Sequence, residues 1–210
     1  MAITTAHCIP DRQWVDGLLR LRLDNAAGIG GVIDNDPHSD AKSWAIFMQR
    51  YISYAPPRQA GEVSEIAADN AVYRRADIME HADLLKRGFW EPSFHARFRA
   101  AGKSLRLEPA LRVLHRNRYT AAQFFAQRFA HGREFGLARA VRLGMARRFA
   151  LISLAPVLPL VFLGKIVRAV RAHGVYVAWL PRAWFWLLFF LLAWGMGEAR
   201  GYLASLSTVR

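Results

Sequence analysis

The chain has 210 residues, 53% of them hydrophobic, and a formal net charge of +13. That length holds one or two domains with a real core, and the charge favours an anionic partner: lipid headgroups, nucleic acid or a phosphorylated substrate. The lone Cys8 excludes an intrachain disulfide and fits a body in a reducing compartment. The opening, MAITTAHCIPDRQW, has no basic start followed by an apolar run. No signal peptide is expected, and the stretch reads like the middle of a domain.

Ala2–Thr5 is short, apolar and β-branched and is read as a strand. Asp11–Leu23 brings Trp14, Leu18, Leu19 and Leu21–Leu23 near helical spacing behind a capping Asp11. Ala26–Ile33 is read as a strand entered through Gly28, Gly30 and Gly31. Their spacing is wrong for a dinucleotide fingerprint, so close backbone approach is the expectation. The loop DNDPHSD (Asp34–Asp40) lacks calcium-loop spacing and reads as a solvated turn. Ser39–Ser53 is an amphipathic helix with Trp44, Phe47, Met48, Tyr51 and Ile52 on one face, and YAPPRQAG breaks the chain after it.

Glu62–Ala67 reads as a strand and Asn70–Tyr73 as its continuation into a turn, followed by a helix over Arg75–Leu85. Glu91–Ala101 is a helix with Pro92 in its first turn and Gly102 at its end. Ser104–Leu107 and Ala110–Leu114 are expected as two short strands broken at Pro109, and Thr120–Ala140 as a long helix carrying Phe124, Phe125, Phe129 and Phe135.

Basic residues then accumulate: Arg118, Arg128, Arg133, Arg139, Arg142, Arg147 and Arg148 stand against Glu134 alone. GLARAVRLGMARR is basic and amphipathic and abuts an apolar run, the pattern of a helix lying on an anionic membrane surface. That adjacency accounts for the charge without a nucleic-acid partner. Phe149–Leu163, with Pro156 and Pro159 inside, and Ala183–Gly197 are the hydrophobic segments. Each spans only about 22 Å of helix, short of the roughly 30 Å hydrocarbon core. The first is therefore expected as a kinked or re-entrant span. The second extends back towards Val175 with Arg182 snorkelling, and Trp179, Trp184, Trp186 and Trp194 suit interfacial belts. The expected organisation is an α/β part over 1–117, a basic interfacial helix over 118–148 and membrane-associated segments over 149–210. The basic flank at Arg139–Arg148 points to a cytoplasmic body, although Lys165, Arg168 and Arg171 make the following loop basic as well.

Several stretches share an order with one family. ITTAHCIPDRQWVDGLL, ADNAVYRRADI, FWEPSFHARFRAAGKSL, QRFAHG and GEARGY succeed one another along the chain. Together they resemble the C-terminal half of a family 2 glycosyltransferase, a membrane-anchored enzyme with a GT-A α/β domain. The resemblance implies an α/β partial GT-A-like domain followed by membrane helices. It also implies a nucleotide-sugar donor and a lipid or polysaccharide acceptor. Glu91 then stands where the family has its base, six residues before Arg97, and a carboxylate there takes the proton of the attacking acceptor hydroxyl. Asn70, Arg74 and Arg75 match the family's Asn and Arg pair, and Arg128 with Phe129 match the end of the Gln-x-x-Arg-Trp motif. Thr5 and His7 fall where the family's Asp-x-Asp holds Mg²⁺ or Mn²⁺, leaving His7 as the one candidate metal ligand.

The half of the family domain that binds the nucleotide has no counterpart among these residues. A fragment or a separate chain supplying that half is the corresponding expectation. The alternative is a non-catalytic, membrane-anchored relic or interaction module. A hydrolase is disfavoured, because no Gly-x-Ser-x-Gly elbow accompanies His7, His95 and His115.

Overall fold

A computed structural model describes residues 1–141 and 143–207; Arg142, counted above among the basic residues, lies outside them. The chain forms two compact units. Met1–His38 with Tyr51–Arg116 make a mixed α/β unit, and Ser39–Arg50 with Asn117–Arg210 make a helical one.

The first unit is built on a six-stranded sheet in the order β1-β5-β3-β6-β2, with β4 also paired to β6. The strands are β1 (Ala2–Thr4), β2 (Cys8–Pro10), β3 (Ala26–Asn35), β4 (Gly61–Val63), β5 (Asn70–Tyr73) and β6 (Ser104–His115). Only β3 and β6 run parallel; the other pairings are antiparallel. The run AAGIGGVI explains why β3 lies at the centre: it is apolar throughout, as a strand covered on both faces must be. β6 is one strand rather than the two expected from Pro109. One side of it pairs with β3 at Ser104–Leu107 and again at Arg112–His115, with an irregularity between them. The other side pairs with β4 at Leu105–Leu107 and with β2 at Val113–His115. Pro109 falls in the gap between those two partners, where no N–H is needed.

Helices α1 (Trp14–Arg20), α3 (Arg75–Glu80) and α4 (Glu91–Ala100) are shorter than the periodicity predicts. Ile78, Phe94 and Phe98 bury against Ala27, Ile66, Tyr73 and Leu105 to form the core. Each phenylalanine there is worth roughly 3–5 kcal/mol against truncation to alanine. Of the strand expected over Glu62–Ala67, only β4 forms. The chain from Ser64 to Asp69 then leaves the sheet and returns as β5, which is a buried strand and not the end of a turn.

The second unit contains most of α2 (Ala41–Tyr51), then α5 (Ala121–Ala140), α6 (Met145–Leu154), α7 (Leu158–His173) and α8 (Leu180–Ser207). Thr120 starts α5 with a reciprocal capping box to Gln123, worth about 1 kcal/mol. Pro156 and Pro159 do not end the first hydrophobic segment. They sit in the first turns of a 3-10 turn and of α7, so Met145–His173 continues as one broken helix of 29 residues. Val177–Ala204 is a second, of 28 residues. The first is longer than its apolar core because Arg147, Arg148, Lys165 and Arg168, good helix formers with long apolar stems, continue the helix at its flanks.

Both helices are long and apolar enough to cross a membrane. Only 11% and 28% of their most apolar windows are buried, unlike the core helices of a soluble protein.

A glycine seam joins α5 to α8. A Cβ on Gly132 would lie 2.3 Å from the carbonyl oxygen of Trp194, and one on Gly136 2.4 Å from that of Glu198. In return, Cβ atoms on Gly197 and Gly201 would lie 2.1 and 2.3 Å from the carbonyls of Phe129 and Arg133. The spacing is Gly-x-x-x-Gly on both helices, the small-residue pattern that lets helix backbones touch. Aromatic pairs flank the seam: Phe124 with Phe190 at 4.7 Å and Phe125 with Phe189 at 4.9 Å.

Candidate functional site

Glu91 opens α4, behind Trp90 and before Pro92. Its Oε1 accepts the backbone N–H of Ala68 at 3.3 Å, which ties the Ser64–Asp69 segment to the start of the helix. Oε2 has no hydrogen-bond partner among the described residues. Asp69 follows directly and accepts the Tyr51 hydroxyl at 2.8 Å. His7 Nε2 lies 3.2 Å from that same hydroxyl, 3.2 Å from Thr5 Oγ1 and 3.9 Å from Asp69 Oδ1.

On the other side of the segment, Glu65 pairs with Nδ1 of the buried His95 and with Arg99. His95 Nε2 in turn lies 3.0 Å from the Tyr73 hydroxyl. Tyr54 stands within the field of all three carboxylates. Burial first, then Glu65, Glu91 and Asp69, push its hydroxyl up to about 12. Burial and the same kind of neighbours raise Tyr73 as well. Both phenols therefore stay protonated at neutral pH. The arrangement can take a proton at Glu91 and hold hydroxyl-bearing ligands. Phe89 closes one wall against Phe94, with ring centroids 4.8 Å apart, while Trp90 stays exposed.

The other residues singled out from the sequence separate into different roles. Asn70 is fully buried: its amide donates to Val32 O at 3.0 Å and Leu111 O at 2.9 Å and accepts from Trp14 Nε1 at 2.9 Å. It binds β3, β6 and α1 together from the interior. Arg74 is exposed and reaches back to the Asp24 carbonyl and to Asp77. Arg75 is exposed at the start of α3. Arg128 and Phe129 belong to the helical unit, where the Phe129 carbonyl is part of the glycine seam.

The residues at the expected metal position do not by themselves fit Mg²⁺ or Mn²⁺. His7 offers one nitrogen, already engaged by Tyr51 and Thr5, and Asp69 one carboxylate. Hard ions of this kind prefer a set of oxygens. Among the described residues no group of three ligating side chains converges.

Sequence reading missed Asp69, Tyr51, Tyr54, Glu65 and His95. Their one local signal is the density of Glu65, Asp69 and Asn70 before a strand; the partners come from elsewhere in the chain. Two cavities of the first unit, about 400 and 250 Å³, lie along α1 and β6 around Arg20, Leu21 and Glu108 and contain none of these residues. Their lining is charged, with Asp16, Arg22, Asp24 and Arg106 on it, and the Glu91 cluster is preferred for its pinned carboxylate. Comparison with models of protein families, with curated proteins and with solved structures found no match to this chain.

Proposed function

We propose that the chain is the acceptor-side part of a membrane-associated glycosyltransferase, moving a sugar from a nucleotide-sugar donor to a lipid or polysaccharide acceptor. The observation that carries this reading is Glu91: a carboxylate at a helix start with one oxygen pinned by a backbone N–H and the other unpartnered, beside Asp69 and a protonated Tyr54. A pinned carboxylate holds its second oxygen in a fixed direction, as proton abstraction from an attacking hydroxyl requires. The acceptor oxygen forms the new bond to the anomeric carbon, its proton passes to Glu91, and the nucleoside diphosphate leaves. Trp90, exposed beside Glu91, offers an apolar face for a sugar ring.

The nucleotide of the donor needs a partner chain or further residues that supply the remaining half of such a domain. The two long apolar helices support anchoring in the membrane, and the basic residues around Arg147 and Arg148 support contact with anionic headgroups on a cytoplasmic face.

The test is sugar transfer from labelled nucleotide sugars in membranes that contain the native protein with all its partners, comparing wild type with Glu91→Gln. The substitution is expected to lower turnover by about 10²–10⁴-fold without loss of the protein from the membrane. Unchanged turnover removes Glu91 as the base.

A second reading, a non-catalytic membrane-anchored module, is favoured by Thr5 and His7, which do not make a metal and diphosphate site. It predicts no labelled product with either protein.

A further inference from the structure

Within the helical unit, α5, α7 and α8 together with Gln49 of α2 enclose a pocket of about 220 Å³. Arg128 and Lys165 supply its charge, and Phe162, Ile166, Leu191 and Trp194 its apolar walls. The Arg128 guanidinium lies 4.6 Å from the Trp194 ring centroid and 5.8 Å from that of Phe124. Its Nε is sealed from solvent and makes no hydrogen bond. Lys165 Nζ lies 5.5 Å over Phe162. Neither cation forms an ion pair with a carboxylate among the described residues. The nearby Glu198 is occupied by Tyr202, Trp194 and Arg139. Burial and the neighbouring Arg50 push the Arg128 guanidinium down to about 10, leaving it charged at neutral pH.

Burying a cation without a counter-charge is costly. Stacking on an indole repays part of that cost and leaves the edge N–H groups of the guanidinium directed outward, in the fork that fits a phosphate. Lys165 adds a second, flexible charge from the facing helix. The exposed Leu160 and Val161 adjoin Phe162 on α7, and Leu192 is exposed next to Leu191 on α8. A ligand held here therefore meets charge at one end and apolar side chains at the other, which distinguishes a lipid from a free ion.

We propose that Arg128 and Lys165 hold the phosphate of an anionic membrane lipid in the pocket between α5, α7 and α8. The proposal rests on the membrane anchoring described above and is independent of sugar transfer.

The experiment uses the full chain in phosphatidylcholine bilayers containing a minority of phosphatidylglycerol, with bromine carried on the acyl chains of one lipid or the other. The Trp194 signal is the difference between wild type and Trp194→Phe. Brominated phosphatidylglycerol is expected to quench it more effectively, mole for mole, than brominated phosphatidylcholine. Arg128→Met and Lys165→Gln are each expected to lower the apparent preference by about fivefold, with helicity by circular dichroism unchanged. Arg12→Gln, exposed in the first unit, is expected to leave the preference in place.

Equal quenching by the two lipids, or a preference that survives in both Arg128→Met and Lys165→Gln, overturns the site. Displacement by millimolar inorganic phosphate overturns the lipid as the source of the phosphate. Absence of quenching by either brominated lipid overturns the membrane anchoring itself, an outcome distinct from failure of the site.

Discussion

The two units use glycine for different ends. In the sheet, glycines on β3 make room for side chains as well as backbone: a Cβ on Gly30 would meet Ile66 at 2.6 Å, and one on Gly31 would meet the Leu111 carbonyl oxygen at 2.0 Å and the Asn70 amide at 2.3 Å. Asn70 can then clamp two strands and a helix from a single buried position. In the helical unit, glycines on α5 and α8 make room for backbone, and carbonyl oxygens of one helix sit where side chains of the other would begin. The first arrangement derives its strength from a few directed hydrogen bonds. The second derives it from dispersion spread along a continuous seam. A lipid environment favours the second, since apolar burial gives little advantage where the solvent is itself apolar.

The largest expected effect breaks the seam. Gly136→Leu places a side chain against the Glu198 carbonyl, which belongs to backbone and cannot turn aside. Overpacking of this kind costs about 3 kcal/mol or more, and unfolding in detergent followed by circular dichroism should show that loss in the helical signal. Next comes the clamp. Asn70→Ala strands the Trp14 indole N–H and the Val32 and Leu111 carbonyls in the interior. A loss of about 1–3 kcal/mol is expected, read by urea denaturation through the near-ultraviolet signal of Trp14. A result in which Gly136→Leu is the milder of the two would reverse the comparison.

The smallest effect concerns charge. The folded chain keeps the Tyr54 proton up to about 12, whereas an unfolded tyrosine releases it near its ordinary value of 10.0. The contribution of Tyr54 to stability is thus fully present below the unfolded value and is lost as pH rises towards the folded one. Ultraviolet titration of wild type against Tyr54→Phe should place the difference near the higher value. Titration at the ordinary position would show that Tyr54 is neither buried nor held in the field of the three carboxylates.

Elements marked by local punctuation were legible from the sequence. Glu91 could be placed at a helix start because Pro92 and Gly102 bracket α4, and β3 stood out because nothing polar interrupts it before Asp34. Features set by pairing were not legible. Pro109 reads as a strand break until β4 and β2 are seen to leave a gap opposite it. Pro156 and Pro159 read as signs of re-entry until each falls in a first turn. Asp69 looks like one more loop acid; only the return of α2, which delivers Tyr51, and of the first strand turn, which delivers His7, gives it partners. GEARGY carried two of the four seam glycines, Gly197 and Gly201, and their spacing matches that of Gly132 and Gly136.

The seam also sets an order of assembly during synthesis. α8 leaves the ribosome well after α5, yet it carries the surface on which α5 closes. The α2 segment waits for it too: Gln49 donates to Leu187 O across 138 residues of sequence, and Trp44 stacks on Trp179 at 4.6 Å. Contacts so distant along the chain form slowly. A ribosome that stops before Gly197 releases a polypeptide whose α5 has no complementary backbone to close against. Its aromatic residues are then presented to chaperones and proteases instead of to Phe189 and Phe190. Quality control of this protein thereby depends on α8, where a short deletion does more harm than the same number of residues removed from a surface loop.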